Sequence, residues 1–273
     1  MRLGSVGFSI FRVRRLLETD GSDPPKPAEG ARVMNNLFLV QLFDWGVGDE
    51  GRCLRCVQAF LRRVGVPWIL RRSLDPTRDM TNAQIRQNLW HFASQTVAYG
   101  VKGDFACFGC FEGKTAVIYQ KVLEHFGDGR QLHLYDHFQC TFHLRDGDVR
   151  GALERNFESA GVRQPVVHNG DFRTTVPASL PAEIAFVDID CGCGADPGIH
   201  EANVLHLLEH VYPRMSPGAV GVLMDYHEPG TTTCADYNPG VGRACRKFFA
   251  GKPEKVHSLW ADEYAQGYFR KAG

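Results

Sequence analysis

The amino-acid sequence predicts an α/β protein built on an open, mostly parallel sheet that ends in an antiparallel hairpin. Three observations predict it. From Gly103 onward, short apolar runs alternate with segments of helical period, the pattern of strands joined by helical crossovers. Two of those runs, EIAFVDID and AVGVLMDY, are almost continuously apolar, as strands covered on both faces must be. The last two strand-like runs, KVHSLW and GYFRK, follow each other with no helical segment between them, which suits a hairpin. With 273 residues and 44% hydrophobic content, the chain can bury one large core.

The elements follow in order. Residues 1–78 are expected to form a helical N-terminal extension. Within it, residues 19–32 (TDGSDPPKPAEGAR) are rich in Pro, Gly and charge and read as a linker. Residues 50–63 read as a helix with Leu54, Val57, Phe60 and Leu61 on one face. The main domain, residues 79–273, opens with a helix over 79–99. Thr81 or Asn82 can cap it, and Ile85, Leu89, Phe92 and Val97 can supply its buried face. Strand DFACF, a helix over 113–126, strand LHLYD, a helix over 149–160 and strand PVVH come next. They are followed by strand EIAFVDID, a helix over 199–212, strand AVGVLMDY, a helix over 242–249 and the two closing strands.

Composition excludes several classes. Lysine plus arginine equals aspartate plus glutamate at 31 each, so a general nucleic-acid or membrane-surface binder is not expected. No apolar run reaches the length of a bilayer span. The start, MRLGSVGFSIFRVRRLLETDG, is basic but lacks the long apolar stretch of a cleaved signal, so a cytoplasmic protein is expected. Nine cysteines is an odd number, and reduced buried thiols fit better than a disulfide framework.

In an open α/β sheet, ligands bind beyond the C-terminal ends of the strands. The first strand runs into Gly109-Cys110-Phe111-Glu112-Gly113-Lys114-Thr115, where two glycines four apart allow a tight turn and a close approach of backbone to ligand. The spacing is not the GxGxxG of dinucleotide binders. The second strand ends in Asp136, an acceptor suited to ribose hydroxyls or to a cap. The third is followed by Asn169-Gly170-Asp171-Phe172, the fourth ends in Asp188-Ile189-Asp190, and the fifth in Asp225-Tyr226-His227-Glu228. Carboxylates converging on one rim repel, so such a site asks for a cation or for shifted protonation.

These segments together resemble a known family. GDFACFGCFEGKTA is similar to the glycine loop of the macrocin O-methyltransferase-like sugar O-methyltransferases, and LYDHF to that family's Asp-Ser-Phe strand end. HNGDFRTTVP resembles its Gly-x-Phe-x-x-Thr-x-Pro segment, and FVDIDCGCG its Asp-x-Asp strand. LLEHVYPRMSPGAVGVLMDY resembles a helix, Ser-Pro-Gly-Gly turn and Asp-Asp-Tyr strand end. Met80-Thr81-Asn82 resembles the Met-Thr-Ser before the family's lid helix, and YFRK its terminal strand. The resemblance runs from about Asp79 to the C-terminus and covers no part of residues 1–78.

It implies a Rossmann-like class I methyltransferase fold, with residues 79–99 as a lid. It also implies S-adenosylmethionine as cofactor, Mg2+ as metal, and methyl transfer to a hydroxyl of a sugar or sugar-like natural product. The cofactor would lie against Met80, Thr81, Gly109, Cys110, Gly113 and Thr115. Asp136, beside His137 and Phe138, would hold the ribose, and Asp171 and Phe172 would border the adenine. Asp190 and Asp225 would bind the metal. Asp190 would also act as general base, and His227 is the second candidate catalytic residue. The chain departs from the family at Cys107 (a glutamate there), His137 (a serine), Gly192 (the second Asp of Asp-x-Asp) and Met224 (the first Asp of Asp-Asp-Tyr). Those departures motivate a rival reading, a cofactor-binding scaffold or regulatory protein that has lost catalysis. A small-molecule acceptor is the expected partner, with homo-oligomerisation left open. Two further motifs are set aside. His206-Leu-Leu-Glu-His210 spells the inverted zinc-peptidase pattern but sits among Val204, Leu207, Leu208 and Val211. Cys53/Cys56, Cys107/Cys110 and Cys191/Cys193 read as unligated thiols.

Overall fold

The computed structural model describes residues 56–57, 59–66, 81–142, 147–192, 196–228, 230, 236, 238–261 and 264–273. Residues 1–75 and 76–273 form separate units. In the first, residues 56–57 and 59–63 are helical, within the helix expected over 50–63.

The second unit opens with helix α1, Ala83–Ala98. It continues through β1 (Asp104–Phe108), α2 (Lys114–His125), β2 (Leu132–Asp136), α3 (Val149–Ser159), β3 (Val166–Asn169) and the one-turn α4 (Phe172–Thr175). Then come β4 (Ile184–Ile189), α5 (Pro197–Val211), a 3-10 turn (Tyr212–Arg214), β5 (Met215–Met224), α6 (Pro239–Phe248), β6 (His257–Ala261) and β7 (Tyr264–Arg270). The sheet order is β3-β2-β1-β4-β5-β7-β6. β1 to β5 run parallel, whereas β7 pairs antiparallel with both β5 and β6. The mostly parallel sheet with a closing hairpin is therefore as the sequence predicts. The chain winds outward from β1 to β3, then returns to β4 on the other side of β1. That reversal opens a crevice between the ends of β1 and β4.

β1 and β2 coincide with the predicted runs DFACF and LHLYD. All six residues of β4 are buried. Each of its large apolar side chains is worth about 1.5–3 kcal/mol removed from water. β5 begins four residues earlier than the apolar run suggests. Ser216-Pro217-Gly218 is absorbed as an irregularity between the Met215–Ile184 and Val220–Phe186 pairs, with Gly218 at φ +82°.

On α1, Asn82 is the cap, its side chain accepting from the Ile85 N–H. The buried face is Ile85, Leu89, Ala93 and Thr96, a 4-4-3 spacing, rather than one that includes Phe92 and Val97. Phe92 instead packs against the Tyr268 ring with centroids 4.6 Å apart. Amide side chains fasten the helix to the hairpin. Asn82 donates to the Ala261 carbonyl at 2.7 Å, and Asn88 to the Trp260 carbonyl at 3.0 Å and to Gln266 Oε1 at 2.8 Å. No helix among the described residues is long and apolar enough to cross a membrane. Among the described cysteines, Cys56, Cys107, Cys110 and Cys245 are free thiols.

One pair on the sheet gives a pH prediction. His133 Nδ1 and His168 Nε2 lie 3.1 Å apart with their rings stacked. Burial lowers both pKa values below the ordinary 6.5, for His133 against the opposing pull of Asp104, for His168 with help from His133. Stability from this pair is present above that ordinary value. It is lost as pH falls through the depressed folded-state values, because the unfolded chain then takes up protons the folded one refuses. The double variant His133→Asn/His168→Asn should therefore lose less stability than the parent between about pH 7.5 and about pH 5.5 in urea unfolding. Groups titrating elsewhere are common to both proteins and cancel. Equal losses would show that the pair is not proton-linked to folding.

Candidate active site

The loop after β1 is shaped by its contact with β4. The Gly109 N–H donates to the Tyr135 carbonyl at 2.9 Å, and the Asp190 N–H donates to the Phe108 carbonyl at 2.8 Å. These bonds press Gly109 (φ +80°) onto the Asp190 backbone, so that a Cβ would lie 1.7 Å from the Asp190 carbonyl oxygen. Glycine is required there by the neighbouring strand. Gly113 (φ +75°) then starts α2, whose N-terminus carries no side-chain cap.

Asp136 organises the same loop. Its Oδ2 accepts from the Cys110 and Phe111 amides at 2.9 Å each, and its Oδ1 from the Phe138 amide at 2.8 Å. Phe111 and Phe138 are held in the left-handed region, at φ 46° and 56°, which costs a bulky residue about 1–2 kcal/mol. The three amide bonds to the carboxylate offset that strain. Oδ1 keeps one further lone pair for a ligand. Asp136→Ala should cost about 2–4 kcal/mol of stability, fewer than three full charge-assisted bonds because the loop relaxes. It should also weaken S-adenosylhomocysteine binding measured by calorimetry. Unchanged affinity would remove Asp136 from the ribose-holding role that the resemblance implies.

Two carboxylates meet at the ends of β4 and β5. Burial, then the charges of Asp225, Asp188 and Asp136, push the Asp190 carboxyl well above the usual carboxylate range. Asp225 is also raised, first by burial, although a hydrogen bond from Asn238 Nδ2 to its Oδ2 at 2.7 Å works the other way. Asp225 itself turns the chain at φ 59°, a conformation aspartate tolerates better than most residues. Two residues before Asp190, Asp188 is wholly inside the protein. Its Oδ2 accepts from the Tyr119 hydroxyl at 2.6 Å and from the Cys107 thiol at 3.6 Å, and burial lifts its pKa to about 6.

The crevice itself is an open pocket of about 390 Å³, solvent-facing space included. It is lined by Thr81, Gly109, Cys110, Phe111, Glu112, Lys114, Thr115 and Asp190. Glu112, though mostly buried, is ion-paired to Lys114 at 2.8 Å.

No family model matches the chain. It is 26% identical over 160 residues to a curated protein of Streptomyces olivaceus, 8-demethyl-8-(2,3-dimethoxy-alpha-L-rhamnosyl)-tetracenomycin-C 4'-O-methyltransferase. The match takes in 51% of this chain and spans 59% of that relative's length. Among solved structures, the O-methyltransferase NovP superposes with a TM-score of 0.57 at 16% identity, covering 78% of this chain and 88% of NovP. The calicheamicin methyltransferase CalS11 superposes with a TM-score of 0.51 at 17% identity, covering 93% of this chain and 98% of CalS11. The fold is that of the class I methyltransferases. The resemblance to sugar O-methyltransferases read from the sequence is borne out in this company.

Within this methyltransferase fold, the pocket gathers Thr81, Gly109, Cys110, Thr115 and Asp190 from the residues singled out in the sequence. Gly113 stands beside it at the start of α2, where a Cβ would press on Leu153. Asp136 supports the loop from below. His137, Phe138, Asp171, Phe172, Asp225 and His227 do not line this pocket. His137 Nδ1 accepts from the Gln139 amide at 3.0 Å. Asp171 caps α4, accepting from the Arg173 amide at 2.7 Å. Phe172 meets the Phe108 ring edge-on at 6.2 Å. His227 Nδ1 is 3.9 Å from Asp236 Oδ2. Met80 lies outside the described residues. Sequence reasoning missed Phe111, Glu112 and Lys114 as lining residues, although they sit inside the glycine loop it had marked. It also missed Asn238 and His200, for which the sequence carries only a cap signal and a lone histidine.

The magnesium that the resemblance implies can be tested against the donors present. Magnesium asks for near-octahedral oxygen ligands. Among the described residues, no group of three or more His, Cys, Asp or Glu side chains is placed to hold a metal ion. The Met224 sulfur is engaged by Gln266 Nε2 at 3.0 Å. A Cβ on Gly192 would meet His200 Cε1 at 2.9 Å and Asn238 Nδ2 at 3.3 Å. Neutral side chains therefore fill the positions where the family carries carboxylates, and this set does not fit magnesium. The His206/His210 pair belongs to no group of three or more candidate ligands among the described residues. His210 Nδ1 is turned back to the His206 carbonyl at 2.8 Å, on a helix whose Val204, Leu207, Leu208 and Val211 are buried.

Proposed function

We propose that the chain transfers a methyl group from S-adenosylmethionine to a hydroxyl of a sugar or a sugar-bearing natural product. One observation carries the reading: in a methyltransferase fold, Asp190 lines the switch-point pocket together with the glycine loop. When bound, S-adenosylmethionine supplies an electrophilic methyl group. Gly109, Cys110 and Thr115 would hold its amino-acid end, where the uncapped N-terminus of α2 favours a carboxylate. Asp136 keeps one acceptor site for a ribose hydroxyl. Thr81, buried at the entrance to α1, walls the pocket and limits water. Asp190 takes the proton from the acceptor hydroxyl as the bond to carbon forms, and orients that hydroxyl for in-line attack. The acceptor class comes from the relatives: one is described as a rhamnosyl 4'-O-methyltransferase, and CalS11 as a TDP-rhamnose 3'-O-methyltransferase.

The test is calorimetry with S-adenosylhomocysteine, followed by incubation with S-adenosylmethionine and a panel of rhamnosylated polyketides and nucleotide-activated deoxysugars, read by mass spectrometry. Binding together with a mass gain of one methyl group on a sugar is expected. Binding without methylation of any panel member would turn the reading toward the cofactor-binding scaffold, and no binding would end it.

A further inference from the structure

Asn238 stands at the N-cap position of α6, just before Pro239, yet its side chain makes no capping bond. Its amide is turned instead onto Asp225 Oδ2 at 2.7 Å. The same amide nitrogen, with the His200 ring, occupies the space a side chain on Gly192 would need. His200 is buried on α5, and that burial keeps it neutral. The structure thus places an N–H donor on Asp225 and an uncharged imidazole beside Gly192, two residues past Asp190. An N–H pointing at a carboxylate relieves part of its charge and fixes its orientation. That is the work a bridging cation would otherwise do.

We propose that Asn238 is the positioning residue that holds Asp225 beside Asp190, and that this site operates without a divalent cation. The inference rests on the methyltransferase reading above and deepens it. The acceptor hydroxyl then meets Asp190 directly. The rest of the Asp225 surroundings agree with this assignment. Met224 directs its sulfur to Gln266, which is in turn fixed by Asn88 of α1, so the strand end is locked by neutral side chains.

The experiment uses the full chain, stripped with EDTA, and manganese chloride as the probe. Electron paramagnetic resonance reads the free aqueous Mn2+ signal, and S-adenosylhomocysteine calorimetry on the same samples reports the cofactor site. The parent should bind S-adenosylhomocysteine and leave the manganese signal undiminished. Asn238→Asp puts a third carboxylate beside Asp225 and Asp190, in a helix-cap position where aspartate is well tolerated. This variant should deplete the manganese signal, and adding Asp225→Asn should restore it. Stoichiometric manganese binding by the parent, lost in Asp225→Asn, would overturn the inference while the methyltransferase reading stands. So would an Asn238→Asp protein that binds S-adenosylhomocysteine normally but gains no manganese. Failure of the parent to bind S-adenosylhomocysteine would overturn the underlying reading, whatever manganese does.

Discussion

Asp190→Asn is expected to lower methyl-transfer turnover by roughly 10²–10⁴-fold, the usual contribution of a positioned general base. S-adenosylhomocysteine affinity should remain close to that of the parent. The pocket has two carboxylates, Asp190 and Glu112. Glu112 is neutralised by Lys114 at 2.8 Å, which leaves Asp190 to take up a proton. The amide of asparagine keeps the shape and one acceptor oxygen, so binding contacts survive while the proton acceptor is lost. Single-turnover rates on the acceptor identified by mass spectrometry, with cofactor affinity from calorimetry, separate the two effects. Glu112→Gln is the control and should cost far less rate. A full-rate Asp190→Asn enzyme would move the base elsewhere, and an equal loss in both variants would point to general damage of the pocket.

The fold was legible because its strong signals are local. β1, β2 and β4 declare themselves as apolar runs with helices between them. The convergence of Asp190 and Asp225 follows once β4 and β5 are neighbours. Where the sequence fell short, the causes are physical. Phe92 has the right period for the core of α1, but the shorter Ala93 and Thr96 fit the close packing there, and Phe92 finds Tyr268 instead. Asp171 and Asp136 are both acids after strands, and sequence cannot say which backbone amides they will collect. In the structure one caps α4 and the other ties down the glycine loop. Asn238 was illegible as a site residue. An Asn before a Pro announces a helix start, and only the folded chain shows its amide turned across to Asp225.

Gly109→Ala is expected to be the most damaging single methyl group in the sheet. The added Cβ would sit 1.7 Å from the Asp190 carbonyl oxygen and 2.6 Å from its carbon, and both are backbone atoms with no rotamer to escape into. The contact cannot open without loss, because the Gly109 amide is bonded to Tyr135 of β2 on one side and the Asp190 amide to Phe108 of β1 across the switch point. Two costs add. An L-residue in the left-handed region pays about 1–2 kcal/mol. Overpacking against an unyielding neighbour adds about 1–3 kcal/mol. The sum, about 2–5 kcal/mol, is a large share of a typical domain's stability. Gly127→Ala isolates the first cost, since Gly127 also has positive φ (+64°) but nothing within 4 Å of its added Cβ. In urea unfolding, Gly127→Ala should lose about 1 kcal/mol, the left-handed penalty alone. Gly109→Ala should lose clearly more, and it should also lose S-adenosylhomocysteine binding, because relief of the clash must separate the ends of β1 and β4. Equal losses in the two variants would mean that conformational preference, rather than the pressure of β4, demands glycine at this position.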